Sequence, residues 1–136
     1  MQTLFVASEH THMASAILLI LSQLAYFIIA KEQNFIKFSI KLGNLLLMQN
    51  IIIGIVLFTG LLMMAVTKFE VWNIAIGAMI FVMIGVIVHQ ILINKKRKPI
   101  KSDEVVAQQV YKKWVAKVYG AEVVAEIVVI LLAFLV

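Results

Sequence analysis

Apolar residues fill the chain in four long runs, Met13–Ala30, Leu45–Thr67, Val71–Ile93 and Val115–Val136, and polar segments separate them. Each run meets the roughly 20 residues that a helix needs to cross the hydrocarbon core of a bilayer. The first extends as a helix back to about residue 5, or as far as Thr3, and carries Glu9, His10 and His12 into the outer interface. The predicted spans are thus about 5–30, 45–67, 71–93 and 115–136, in one membrane domain covering residues 1–136. The connections are Lys31–Asn44, Lys68–Glu70 and Asn94–Trp114. Connections this short force successive helices antiparallel, so the expected fold is all-α: a polytopic, antiparallel four-transmembrane-helix bundle. The start Met1-Gln2-Thr3-Leu4 lacks a basic n-region and no small-residue cleavage site follows, so the first run is expected to remain as a span rather than act as a cleaved signal.

Composition agrees with the pattern. Hydrophobic residues make up 63% of the chain and charged residues 14%, with a mean hydropathy of +1.04. Soluble domains run about 45–50% apolar and about 25% charged. A cytosolic enzyme, a disordered chain and a nucleic-acid module are all poor fits to this composition. The chain has no cysteine, hence no disulfide, no thiolate metal site and no cysteine nucleophile. Charge adds orientation. Lys31, Lys37 and Lys41 lie in the first connection, and Lys95, Lys96, Arg97, Lys98, Lys101, Lys112 and Lys113 in the third, with Lys117 just inside the last run. Eleven of the twelve basic residues therefore share one side, against Lys68 on the other. The positive-inside rule then places both termini outside the cytoplasm of a bacterial inner membrane. The Lys95–Lys98 cluster is expected to meet anionic headgroups, not nucleic acid.

Ionisable groups inside a span are costly and mark function. The fourth run carries Glu122 and Glu126 one turn apart on one face, with Tyr119 a turn earlier. Counted from Val115, Glu122 lies about 10 Å and Glu126 about 16 Å into the membrane. His89, Asn50 and Gln23 fall at depths similar to Glu122, so each helix is expected to contribute to one polar layer: Gln23, Asn50, His89 and Glu122. Helical spacing supplies the expected inner seams. They are Ser8, His12, Ser15, Leu19, Ser22 and Tyr26 in the first helix, and Gly43, Asn50 and Gly54 with Leu47, Leu57 and Leu61 in the second. The third has His89 with Gly85, Val82 and Ala78, and the fourth Tyr119, Glu122, Glu126, Val129 and Ala133. Glu122 acts either as a proton relay or as a neutral helix clasp. His10 and His12 form a His-x-His pair, a chelating element for copper or zinc. Residues two apart on a helix diverge, so the pair chelates one ion only if the helix starts after it. His12 alone, on the seam, suits a buried axial ligand.

The order of these features resembles the HemJ-type protoporphyrinogen oxidases and their relatives in the CopD-like membrane families. A histidine opens the first helix, followed by small residues three and ten positions on: His12, Ser15 and Ser22. A histidine closes the third, at His89, and a basic-aromatic segment, Lys112-Lys113-Trp114 through Lys117-Val118-Tyr119, leads to Glu122. The resemblance covers roughly residues 5–136. It implies haem b with His12 as an axial ligand, and His89 and Asn50 as further candidates for the cofactor site. Glu122, assisted by Glu126, would relay protons during oxidation of a porphyrinogen-like or quinol substrate. Antiparallel connectivity puts His12 and His89 near opposite faces, so one haem cannot take both. The CopD-like side of the resemblance implies copper or other cation transport, with Glu9, His10 and His12 capturing the ion and Glu126, Glu122, His89 and Asn50 lining its path. Such a short chain is expected to need a homo-oligomer or a partner membrane subunit, and a third possibility is a structural accessory subunit.

Overall fold

The computed structural model describes residues 2–68, 70, 74–100 and 103–135. Four helices make up almost all of them: α1 (Gln2–Ile29), α2 (Phe35–Val66), α3 (Ile74–Arg97) and α4 (Val105–Leu135). All four are long and apolar enough to cross a membrane. The chain is a multi-pass, all-α membrane protein whose outer surface meets lipid. The expected span ends Val71 and Val136, like Phe69 in the second turn, lie outside the described residues.

Around the bundle, α1 packs most extensively on α2 and α3 on α4, α1 also meets α4, and α2 touches α3 over the least of its length. Two helices start about ten residues earlier than their apolar runs. Asn34 caps α2, its side-chain oxygen accepting from the backbone N–H of Ile36 (3.0 Å) and Lys37 (3.2 Å). From there Phe35, Phe38 and Leu42 carry a buried face toward the membrane. Helix α4 likewise buries Gln108, Tyr111 and Val115 before its long apolar stretch. At about 48 Å and 46 Å, both helices exceed a hydrocarbon core of about 30 Å. Their projecting ends are held by aromatic rings: Phe38 lies 5.6 Å from Phe35, 6.2 Å from Tyr26 and 6.4 Å from Tyr111. Two phenols tie this end to neighbouring backbones. Tyr26 donates to the Lys112 carbonyl at 2.9 Å and Tyr111 to the Ile93 carbonyl at 2.7 Å. The short loop before α2 is fixed by Lys41, which donates to Glu32 at 3.0 Å and holds that carboxyl below its ordinary range. At the opposite end α2 stops with Lys68 at φ 56°, the left-handed conformation that commonly closes a helix.

Candidate functional site

Helix α4 places Glu122 and Glu126 on its buried stripe, between Tyr119 and Val129. From α1, Gln23 is almost completely buried against them. Its single amide nitrogen donates to both acids, to Glu122 Oε2 at 2.9 Å and to Glu126 Oε1 at 3.0 Å. The two accepting oxygens therefore lie within about 6 Å of one another. From α3, His89 brings Nδ1 to 2.9 Å from the remaining oxygen of Glu122, Oε1. Its side chain is 36% exposed whereas that of Glu122 is 3% exposed. One end of this chain of contacts thus reaches the bundle surface and the other is sealed within it.

The geometry fixes where protons can sit. Gln23 N–H occupies Oε2 of Glu122, so a proton on that acid belongs on Oε1, facing His89. The same contact holds as imidazolium and carboxylate or as imidazole and carboxylic acid, which is the geometry of a proton transfer pair. On Glu126, Oε1 is occupied by Gln23, and Oε2 is buried without a protein partner, as is Gln23 Oε1. Those two oxygens are the acceptors through which the pair can take up a further proton or a small cation.

Helix two differs from its sequence reading by one residue. Gln49 faces inward, 1% exposed, and its Oε1 accepts from the Tyr119 hydroxyl at 2.8 Å. Asn50 is exposed and accepts from Gln90 of α3 at 3.0 Å, away from the acid cluster. Leu47, Gly54, Leu57 and Leu61, expected on the inner seam, face outward, and the inner face runs through Leu46, Gln49, Ile53, Val56 and Thr59. One position is a rotation of about 100° on a helix, and the uniformly apolar surroundings of Gln49 and Asn50 give the sequence little to choose between them. Helix three is shifted likewise, its buried residues being Ala75, Val86, Gln90 and Ile93, with His89 at the edge of that face. The polar layer therefore consists of Gln23, Glu122, Glu126 and His89, with Gln49 and Tyr119 beside it. The seams expected for α1 and α4 are the buried ones: Ser8, Ser15, Leu19, Ser22 and Tyr26 in one, Tyr119, Glu122, Glu126 and Val129 in the other. The serines spend their hydroxyls on their own helix, Ser15 donating to Thr11 O and Ser22 to Leu19 O.

Near the other face, His12 inserts between α1 and α2. Its Nδ1 lies 2.9 Å from the Val56 carbonyl and 3.0 Å from Thr59 Oγ1, while the Thr59 hydroxyl donates to the Ile55 carbonyl at 2.8 Å. Both neighbours of Nδ1 are acceptors, so Nδ1 carries the proton. Gly60 makes room for the ring, since a Cβ there would stand 3.2 Å from His12 Cε1. Ligation through Nδ1 does not fit this setting, which leaves Nε2 as the ring nitrogen with a lone pair. The nearest groove, of about 490 Å3 between α1 and α2, is walled by Ala7, Ser8, Thr11 and Thr59 of the neighbouring faces, and His12 is not in its wall. The His10–His12 chelate also fails: α1 is already helical from Gln2, which turns exposed His10 away from His12. Among the described residues no group of three His, Cys, Asp or Glu side chains is placed to hold a metal ion.

Between the two polar patches lies an apolar layer. Leu19, Ile53 and Val86 form a buried cluster, joined by Ile52, Val82, Met83 and Ile87. Leu19 follows Ser15 and precedes Gln23, and Ile53 stands between Gln49 and Thr59, so the cluster separates His12 from the carboxylates. No family model, curated protein or solved structure matches the chain.

Proposed function

We propose that the protein is a proton-handling carrier of a bacterial inner membrane, with both termini outside the cytoplasm. Protons enter from the basic, cytoplasmic side through His89 and are held by Glu122 and Glu126. The observation that carries this reading is the doubly donating Gln23 amide, which holds two buried carboxylates together while leaving Glu122 Oε1 facing an accessible imidazole. Two acids held in an apolar phase accommodate one positive charge far better than none. That charge is a proton or a cation competing for the same oxygens, which makes proton-coupled cation transport the function class. In the elementary step, the O–H bond of Glu122 breaks and an N–H bond forms at His89 Nδ1, leaving carboxylate and imidazolium. The reverse step reloads the acid. The Leu19–Ile53–Val86 layer insulates this store from the His12 side, so passage requires the layer to open. That is the behaviour of a carrier rather than an open channel. An oxidoreductase resembling the HemJ type would share the Glu122 relay, with Nε2 of His12 as the nitrogen left to ligate a haem.

Proteoliposomes containing a pH-sensitive dye test the proposal. Under an imposed pH gradient, with potassium and valinomycin clamping the potential, the wild-type protein is expected to move protons and Glu122→Gln to stop them. Leu19→Ser, which places a hydroxyl in the insulating layer, is expected to raise the flux. Equal flux in wild type, Glu122→Gln and empty vesicles would refute the proposal.

A further inference from the structure

Among the four neighbouring helix pairs, α2 and α3 touch least, and a groove of about 530 Å3 opens between them at the basic end. Its mouth carries Lys95, Arg97 and Lys98, and among the described residues no carboxylate lines it. Deeper in, Leu47, Ile53 and Ile91 line it around the mutually hydrogen-bonded Asn50 and Gln90. Arg97 is set into this mouth rather than left to swing. Its Nη1 donates to the Ser39 carbonyl at 2.7 Å and its Nη2 to Asn94 Oδ1 at 2.9 Å. The guanidinium lies over Gly43, where a Cβ would stand 2.7 Å from Nη1. Among the described residues two of its five N–H donors are used, which leaves three for an anion. Lys96, the fourth cation of the run, turns away to sit 4.2 Å over the Trp114 ring. The basic run is thus sorted by the fold, three cations to the groove and one to the aromatic face.

We propose that this groove is a binding site for one anionic phospholipid, with the phosphate at Lys95, Arg97 and Lys98 and an acyl chain along Leu47, Ile53 and Ile91. Charge complementarity selects the occupant. A fixed arginine with two flanking lysines matches a phosphodiester, and the apolar floor continuous with the bilayer matches a hydrocarbon chain. Basic pockets between transmembrane helices are suited to anionic headgroups, at about 1 kcal/mol for each Lys or Arg near the surface. A lipid there also fills the space that α2 and α3 leave between them, next to the Asn50–Gln90 pair. The inference is independent of the transport reading, since it concerns neither Glu122 nor His89.

Native mass spectrometry of the full chain in mild detergent tests it, with phosphatidylglycerol and phosphatidylcholine of identical acyl chains as probes. One phosphatidylglycerol is expected to remain bound per protein under conditions that strip phosphatidylcholine. Lys95→Gln combined with Lys98→Gln is expected to weaken retention about 30-fold, whereas Lys31→Gln combined with Lys37→Gln, on the same side but outside the groove, leaves it unchanged. Ile91→Trp keeps every charge but fills the apolar floor, and is expected to lose the lipid as well. Ile91, Lys95 and Lys98 are exposed, so these variants keep the fold, which thermal unfolding checks. Millimolar inorganic phosphate is expected not to displace the lipid. Equal retention of the two lipids, equal loss in the groove and control variants, retention by Ile91→Trp, or displacement by phosphate would each overturn the proposal.

Discussion

Glu122 shows most clearly what a single residue does in this bundle. It accepts from Gln23 on one oxygen and contacts His89 on the other, so it is both a joint between three helices and a site that can change protonation. Substitution separates the two roles. Glu122→Gln preserves shape and is expected to shift stability by less than about 0.5 kcal/mol, whereas Glu122→Leu removes both contacts and is expected to cost about 1 kcal/mol. Reversible unfolding in bicelles measures both. A Gln variant as unstable as the Leu variant would mean that the site is held by charge rather than by hydrogen-bonding shape. Both acids and His89 were legible in the sequence because ionisable groups stand out in apolar runs. Gln23 was legible as a member of the layer, but not as the bridge between the acids, because a shared donor depends on the angle between α1 and α4. Gln49 was not legible, because its neighbour Asn50 offers the same amide and only the rotation of α2 decides which turns inward.

At the scale of elements, hydropathy located the spans but not the helix ends. The starts of α2 and α4 are polar enough to read as connections, yet they fold because a cap and a ring cluster support them outside the bilayer. Asn34 is the cap, and Phe35, Phe38 and Tyr111 are the rings. Asn34→Ala is expected to destabilise the protein by about 1 kcal/mol. It should also speed hydrogen exchange at the Ile36 and Lys37 amides while the membrane-embedded amides of α2 stay protected. Unchanged exchange at those two amides would show that α2 does not depend on this cap. His12 teaches the converse lesson. Its spacing in the α1 seam was legible, but its partners, the Val56 carbonyl and Thr59, belong to a helix more than forty residues away. Their acceptor chemistry makes Nδ1 a helix-to-helix donor and leaves Nε2 as the only ring nitrogen with a lone pair.

For the molecule as a whole, two polar patches lie near opposite faces with an apolar layer between them, and the proposed carrier would use them as store, barrier and far side. The assignment of inside and outside rests on eleven basic residues at one end against Lys68 at the other. A reporter active only in the cytoplasm is expected to work when inserted after Asp103 and to fail at either terminus; activity at a terminus would reverse the direction of every step. The central claim, that the buried acids change protonation within the membrane, is tested most directly by infrared difference spectroscopy of the lipid-reconstituted protein as pH is varied. A carboxylic acid carbonyl band is expected to fall as carboxylate bands rise, to shift on deuteration, and to lose the Glu122 share of its intensity in Glu122→Gln. A carboxylic acid band that neither changes with pH nor responds to Glu122→Gln would contradict it.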